Sequence, residues 1–280
     1  MPLKLMYITN SEDVAHIAEE AGVDRIFVDM EYIGKTDRQG GMDTVQSRHT
    51  ADDVRRLAQC LNKAELFVRV NPIHEKTDEY NSSKEEIDEA IEAGADLLML
   101  PYFKTAEEVQ TFVKYVDGRA KTVLLVETPE AAAIAENLVK IPGIDEMFIG
   151  LNDLSLGYGK NFMFELLLDG TVEELCLKFR KGGIPYGFGG IASLGKGMLP
   201  SEYVIKEHYR LGSTCAILSR SFCRTDQVTD LKEIQKIFET ELPKIRQLEE
   251  ECSVHSQYFW KNRQQVETKI RQICECEDAK

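Results

Sequence analysis

Glu92-Ala93-Gly94-Ala95-Asp96-Leu97-Leu98-Met99-Leu100 (EAGADLLML) decides how the rest of the chain is read. A glycine closes a helical segment and an unbroken apolar run follows at once, as where a helix hands the chain to a parallel strand covered on both faces. The same join recurs in Glu20-Ala21-Gly22-Val23-Asp24 and in Arg210-Leu211-Gly212-Ser213-Thr214. Working outward, β-rich apolar runs occupy Lys4 to Thr9, Arg25 to Glu31, Glu65 to Asn71, Asp96 to Phe103, Lys121 to Thr128, Glu146 to Asp153, Ile184 to Ala192 and Thr214 to Phe222. Helix-like segments separate them: Ser11 to Ala21, Thr50 to Asn62, Ser83 to Ala93, Ala106 to Val116, Pro129 to Val139, Thr171 to Lys181 and Ser201 to Leu211. Ser11 and Thr50 can cap their helices, with Asp13 and Asp53 in the first turn.

Eight strands alternating with helices give the count of a (β/α)8 TIM barrel, expected over residues 1–228. The rival is a doubly wound open sheet. It would carry a glycine-rich phosphate loop after its first strand, and Ile8-Thr9-Asn10-Ser11-Glu12 has no glycine. Residues 229–280 read as a C-terminal helical extension with an apolar stripe through Leu231, Ile234, Ile237, Phe238, Leu242, Ile245 and Leu248. Such a stripe must be buried on the barrel wall, on a partner subunit or on both, so a homo-oligomer is the expected state.

The chain has 280 residues, 43% of them hydrophobic, with 34 basic against 48 acidic side chains for a net charge of −14. An acidic surface without basic stripes repels phosphate backbones, which excludes nucleic acid as the expected partner. No run approaches the roughly 18 apolar residues of a membrane span, and the first ten residues do not form a secretory signal, so a cytoplasmic protein is expected. Seven scattered cysteines, an odd number, speak for reduced thiols. Cys274-Glu275-Cys276 lacks the further ligands that a zinc clip requires.

Reactive groups in such a barrel sit at the C-terminal ends of strands. The second strand delivers Asp29, Glu31 and Tyr32, the third Arg69, the fifth Glu127, and the sixth Asn152 and Asp153. Glu127 and Asp153 come from neighbouring strands, roughly 5 Å apart in the pairing direction. Two like charges that close call for a cation between them, and carboxylates with water and substrate oxygens suit Mg²⁺, or Mn²⁺ or another divalent ion. Helix capping is the alternative role for both. Arg69 can grip a substrate carboxylate or stabilise an oxyanion, or else form a structural ion pair with Asp29 or Glu31. Asn152 and Lys160 are candidates for substrate contact, Lys160 alternatively being a solvated loop residue. His49 and His74 lie in loops that follow the second and third strands.

The segments FVDMEY, FVRVN, GADLLMLPYFKTAEEV, LLVETPEAAAIAENLVKIPGIDEMFIGLNDLS and YGFGGIA together resemble the HpcH/HpaI aldolase and citrate lyase family, from about Lys4 to Phe222. The resemblance implies a metal-dependent class II aldolase acting on pyruvate or another 2-keto acid and an aldehyde. It places the metal on Glu127 and Asp153 and the substrate arginine on Arg69. It also implies subunits that exchange their last helices. The chain departs from the family pattern at Tyr32, where the aldolases carry a histidine paired with the aspartate, and at Leu125, where a glutamine is usual. Proton transfer then falls to His49 or His74, to Tyr32 as an acid, or to a metal-bound water. A citrate-lyase-β-like acyl-CoA lyase and a barrel retained for binding are the competing functions.

Overall fold

Consecutive residues of each strand face two different cores, which is why the apolar runs do not alternate. Met6, Phe27, Phe67, Leu97, Met99, Val123, Leu125, Phe148 and Cys215 fill the interior of the barrel. Their neighbours, among them Leu5, Ile26, Val28, Leu66, Val68, Leu98, Leu124 and Ile149, pack outward against the helices. The computed structural model describes residues 1–34, 47–254 and 257–278.

The strands are β1 (Lys4–Ile8), β2 (Arg25–Asp29), β3 (Glu65–Arg69), β4 (Leu97–Leu100), β5 (Lys121–Val126), β6 (Glu146–Ile149), β7 (Tyr186–Ile191) and β8 (Cys215–Leu218). All are parallel, each pairs with the next, and β8 closes on β1 through Lys4↔Cys215 to Tyr7↔Leu218. The strands stop short of the apolar runs, because the residues beyond them leave the ladder to line the mouth. Helices α1 (Glu12–Glu20), α2 (Ala51–Cys60), α3 (Ser83–Glu92) and α4 (Ala106–Val116) follow the first four strands. Ser11 accepts the Val14 N–H, and Thr50 and Asp53 form a reciprocal capping box, as their spacing predicts.

The segment Pro129 to Val139, expected as one helix, is two short ones, α5 (Pro129–Ala133) and α6 (Ala135–Leu138), because Ile134 leaves helical geometry. Helix α7 (Leu151–Gly157) begins directly after β6, so Asn152 and Asp153 sit in a first helical turn and not on a strand end. The chain continues through α8 (Glu165–Leu168), α9 (Thr171–Gly182) and α10 (Ser201–Leu211).

The middle of the C-terminal stripe is buried by the chain's own barrel. In α11 (Leu231–Val254), Ile234, Phe238, Leu242 and Ile245 join the outer core, and α12 (Tyr258–Asp278) adds Val266 and Ile270. Leu231, at the start of the stripe, stays exposed. Helix α11 also clasps the start of β1: Glu249 Oε1 accepts the Leu3 N–H at 2.7 Å, while Arg246 donates to the Leu3 carbonyl at 2.7 Å and to Asp24 Oδ2 at 2.9 Å.

At the N-terminal face, fully buried Arg25 plugs the barrel, donating to both oxygens of Glu146 at 2.7 and 2.5 Å and to Glu65 at 2.9 Å. The partners matter more than the count of bonds, since a buried guanidinium without them would be severely destabilising. No disulfide links the seven cysteines. Among the described residues no helix is long and apolar enough to cross a membrane.

His208 on α10 lies fully buried, stacked on Phe188 with ring centroids 3.9 Å apart. Its Nδ1 meets Ser213 Oγ at 2.8 Å, whereas Nε2 has no partner. Burial holds its pKa down to about 3, against 6.5 for an ordinary histidine. Between those values the unfolded chain binds a proton that the folded chain refuses, so stability is fully present above pH 6.5 and falls as the pH drops. Lowering the pH from 7 to about 5 should cost about 2 kcal/mol through this residue. Urea unfolding at both values should show that loss in the native sequence and not in His208→Phe; equal losses would refute the assignment.

Candidate active site

The site begins with a pair that the barrel register makes. Asp29 and Arg69 are direct partners across β2 and β3. Their side chains form a two-pronged ion pair, Arg69 Nε to Asp29 Oδ1 and Nη2 to Oδ2, both at 2.8 Å. Glu31 adds a longer contact to Nη1 at 3.4 Å. The guanidinium also lies over the Phe27 ring, 5.7 Å from its centroid. Burial opposes its charge, but Asp29 and Glu31 outweigh burial and keep Arg69 ionised. Both expected roles of Arg69 thus coexist, because the ion pair aims a group that lines the mouth.

The turn that carries Glu31 is held from the side. Asn71 Oδ1 accepts the backbone N–H groups of Tyr32 at 2.7 Å and Ile33 at 2.9 Å. The Asn71 amide donates in turn to Glu86 Oε1 at 2.8 Å, and its backbone N–H reaches the same oxygen at 3.1 Å. Burial raises the Glu86 carboxyl above the usual range, and the Asn71 bonds pull it back.

Glu127 follows β5, and Asp153 projects from α7; both are buried and line one cavity of about 490 Å³ together with Asp29, His49, Arg69 and Asn152. Leu125, Phe148, Phe27 and Met99 of the inner core form its floor. A second cavity, of about 330 Å³, reaches the same two carboxylates from the side of Tyr102 and Lys104. Glu127 Oε1 accepts the Tyr102 N–H at 2.9 Å, and Asn152 Nδ2 donates to Asp153 Oδ1 at 3.1 Å. A side chain at Gly150 would put its Cβ 2.8 Å from Glu127 Cβ, so only glycine lets α7 start this close to β5. Burial pushes the Glu127 carboxyl well above the carboxylate range, Glu31 pushes it further, Arg69 opposes this, and Asp153 adds repulsion. Two carboxylates crowded in this way beside open space are a donor set suited to a hard divalent cation whose other ligands are water or substrate oxygens. Among the described residues the only trio of grouped ligand side chains is His16, Glu19 and Glu20 on α1. Glu19 Oε1 is already committed there to the N–H groups of Asn62, Lys63 and Ala64.

The other sequence candidates separate sharply. His49 lines the cavity, and its Nδ1 accepts the Asp29 N–H at 3.0 Å. In the neutral ring the proton then belongs on Nε2, which makes His49 a hydrogen-bond donor and not a base. His74 does not line the cavity; its ring is tied to the Pro72 and Asn81 carbonyls and to Ser83. Tyr32 is also outside the lining, and burial, followed by Asp29, Asp53 and Glu86, pushes its phenol up to about 12. Lys160 is paired with Asp169 at 2.9 Å and lines neither cavity that touches the carboxylates. Sequence reasoning missed Tyr102, whose left-handed backbone (φ 47°) aims its N–H at Glu127. It also missed Asn10, Gly189, Gly190, Ser219 and Arg220, which line the cavity from β7 and from the chain just beyond β1 and β8. The bare Gly189-Gly190 pair in YGFGGIA was the available signal.

A closed parallel barrel whose C-terminal mouth gathers four carboxylates around one held guanidinium defines a barrel-enzyme site. A family model described as HpcH/HpaI aldolase/citrate lyase matches residues 4–166, and the chain belongs to that family, which makes it an enzyme of aldolase or lyase type. Among solved structures, a HpcH/HpaI aldolase/citrate lyase family protein from Burkholderia cenocepacia J2315 is similar at 18% identity and TM-score 0.60, covering 84% of this chain and 95% of its own. A citrate lyase from Burkholderia xenovorans LB400 is similar at 13% identity and TM-score 0.56, covering 96% and 92%. The citrate synthase SbnG matches at 15% and 0.57, covering 88% and 94%. These likenesses carry the fold. No curated protein matches the chain.

Replacing Asn71 by alanine strips the acceptor from two backbone N–H groups and the donor from Glu86. Asn71→Ala should lower unfolding stability by about 2–3 kcal/mol, measured by urea titration. A change below about 0.5 kcal/mol would show that the turn is held by other contacts.

Proposed function

We propose that this chain is a divalent-metal-dependent carbon–carbon lyase or aldolase acting through the enolate of pyruvate or a related 2-keto acid. The observation that carries the reading is the shared cavity of Glu127 and Asp153 beside an Arg69 fixed by Asp29. Glu127 and Asp153 would hold Mg²⁺ or Mn²⁺, which supplies a Lewis acid for the keto oxygen. Arg69 places a second positive charge where the oxygen becomes negative, in a position set before substrate arrives. His49 offers a neutral Nε2–H to a developing alkoxide. In the synthetic direction a bond forms between the enolate carbon and the aldehyde carbon, and the aldehyde oxygen takes up a proton; cleavage reverses both.

With Tyr32 and His74 away from the cavity, the proton of the 2-keto acid passes to solvent in the mouth. Exchange of pyruvate methyl protons in deuterated water should require Mg²⁺ or Mn²⁺. It should vanish in Glu127→Gln, together with the bound-Mn²⁺ signal in electron paramagnetic resonance. Retention of both in that variant would sink the proposal, and turnover of CoA thioesters without pyruvate exchange would select an acyl-CoA lyase.

His49→Gln separates donor from base. Glutamine can accept the Asp29 N–H and still donate, so exchange should stay within about tenfold of the native rate. A loss of about 10²–10⁴ would assign His49 the base role instead.

A further inference from the structure

The last turns of α1 carry three groups that the chemistry of the mouth does not use. His16, Glu19 and Glu20 stand at positions i, i+3 and i+4 of the helix, so their side chains share one face. One imidazole nitrogen or carboxylate oxygen from each lies within 4.8 Å of the others. Glu19 is the buried member, and its two oxygens are treated differently. Oε1 accepts the N–H groups of Asn62, Lys63 and Ala64, which lead from α2 into β3, at 2.8, 2.5 and 2.8 Å. Oε2 is buried as well, accepts no hydrogen bond, and lies 3.9 Å from His16 Nδ1. Burial opposes the charge on Glu19, but the three N–H groups and His16 outweigh it and hold the carboxyl below its usual range. An ionised oxygen is thus enclosed beside an imidazole and a second carboxylate.

The helix itself adds to the demand for positive charge. The negative pole of its dipole lies at this end, and its last turn contains no basic residue. Lys63 Nζ reaches Glu20 at 2.8 Å in an exposed pair, of a kind that contributes little, and makes no bond to the buried oxygen of Glu19. We propose that His16, Glu19 and Glu20 form a second cation site, which takes Zn²⁺ or Ni²⁺ through one imidazole, two carboxylates and water. An imidazole in the set favours these ions, whereas the all-oxygen carboxylates of the mouth suit Mg²⁺ and Mn²⁺. Ligand atoms around a tetrahedral zinc are roughly 3.3 Å apart. Reaching that spacing asks only for rotation of His16 and Glu20, whose side chains are 57% and 52% exposed, while Glu19 stays fixed by its three N–H bonds. The site lies at the N-terminal face, between the end of α1 and the starts of β2 and β3. An ion there would therefore tie α1 to the turn before β3 and act on stability, not on turnover.

The test is a calorimetric titration of the full chain with Zn²⁺ in excess Mg²⁺, which occupies the mouth. Cys274→Ser and Cys276→Ser are present throughout, so that the C-terminal thiols do not compete for zinc. One Zn²⁺ should bind; His16→Gln should abolish that event, and Glu20→Gln should raise its Kd about tenfold. Lys63→Ala removes the competitor for Glu20 and should lower Kd about threefold. Glu19 is left intact because its substitution would also release the turn before β3. Free Zn²⁺ at about a hundred times its Kd should raise Tm by about 5–10 °C, and this rise should be missing in His16→Gln. Zinc binding or a Tm rise that survives His16→Gln unchanged overturns the proposal, as does a native chain that binds no zinc. Glu127→Gln separates the two sites: the zinc event should persist in it, and loss there would assign the ion to the mouth and overturn the second site.

Discussion

One imbalance of charge governs the mouth of this barrel. Asp29, Glu31, Glu127 and Asp153 are all buried there, and the Arg69 guanidinium is paired with the first two. Asp29 takes two of its N–H donors, and Glu127, facing Glu31 and Asp153, is compensated by the Arg69 charge and the Tyr102 N–H. Carboxylates in that position either take up protons or draw in a cation. The same crowding would favour a divalent ion between the carboxylates, so in the proposed reaction the pull on a metal and the electrostatics of the chemistry would have a common origin.

The two ends of the barrel treat a buried arginine in opposite ways. At the N-terminal face Arg25 is enclosed, with Glu146 and Glu65 matching its donors, and the result is a plug. At the C-terminal face Arg69 is gripped along one edge and left beside open volume. Chemistry needs the second arrangement, because a group that is fully satisfied by its own fold has nothing left to offer a substrate.

Most of the fold was legible because burial on both faces writes itself as unbroken apolar runs, and capping residues mark where helices start. What overran was the length of the strands, since apolar residues continue past the last ladder bond into the mouth. Charges at strand ends identified Asp29, Arg69, Glu127 and Asp153, although Asp153 arrives on a helical turn that Gly150 permits. Proximity in sequence misplaced His74 and Lys160, whose partners lie in nearby loops, and Tyr32, whose backbone is held by Asn71 beyond the next strand; no periodicity reveals either. The tautomer of His49 was beyond reach as well, because it depends on a single backbone amide 20 residues earlier. The Gly189-Gly190 wall went unread because it works through missing side chains, and a search for reactive groups passes over those.

The clasp between Glu249 and Leu3 joins positions 246 residues apart. A ribosome must therefore release α11 before the first strand acquires its final support, and until β8 emerges the growing sheet presents an unsealed margin. Loss of α11 by proteolysis would act at the opposite extremity of the molecule, loosening the opening residues first. Helix α11 thus ties the opening residues to a segment made 246 positions later.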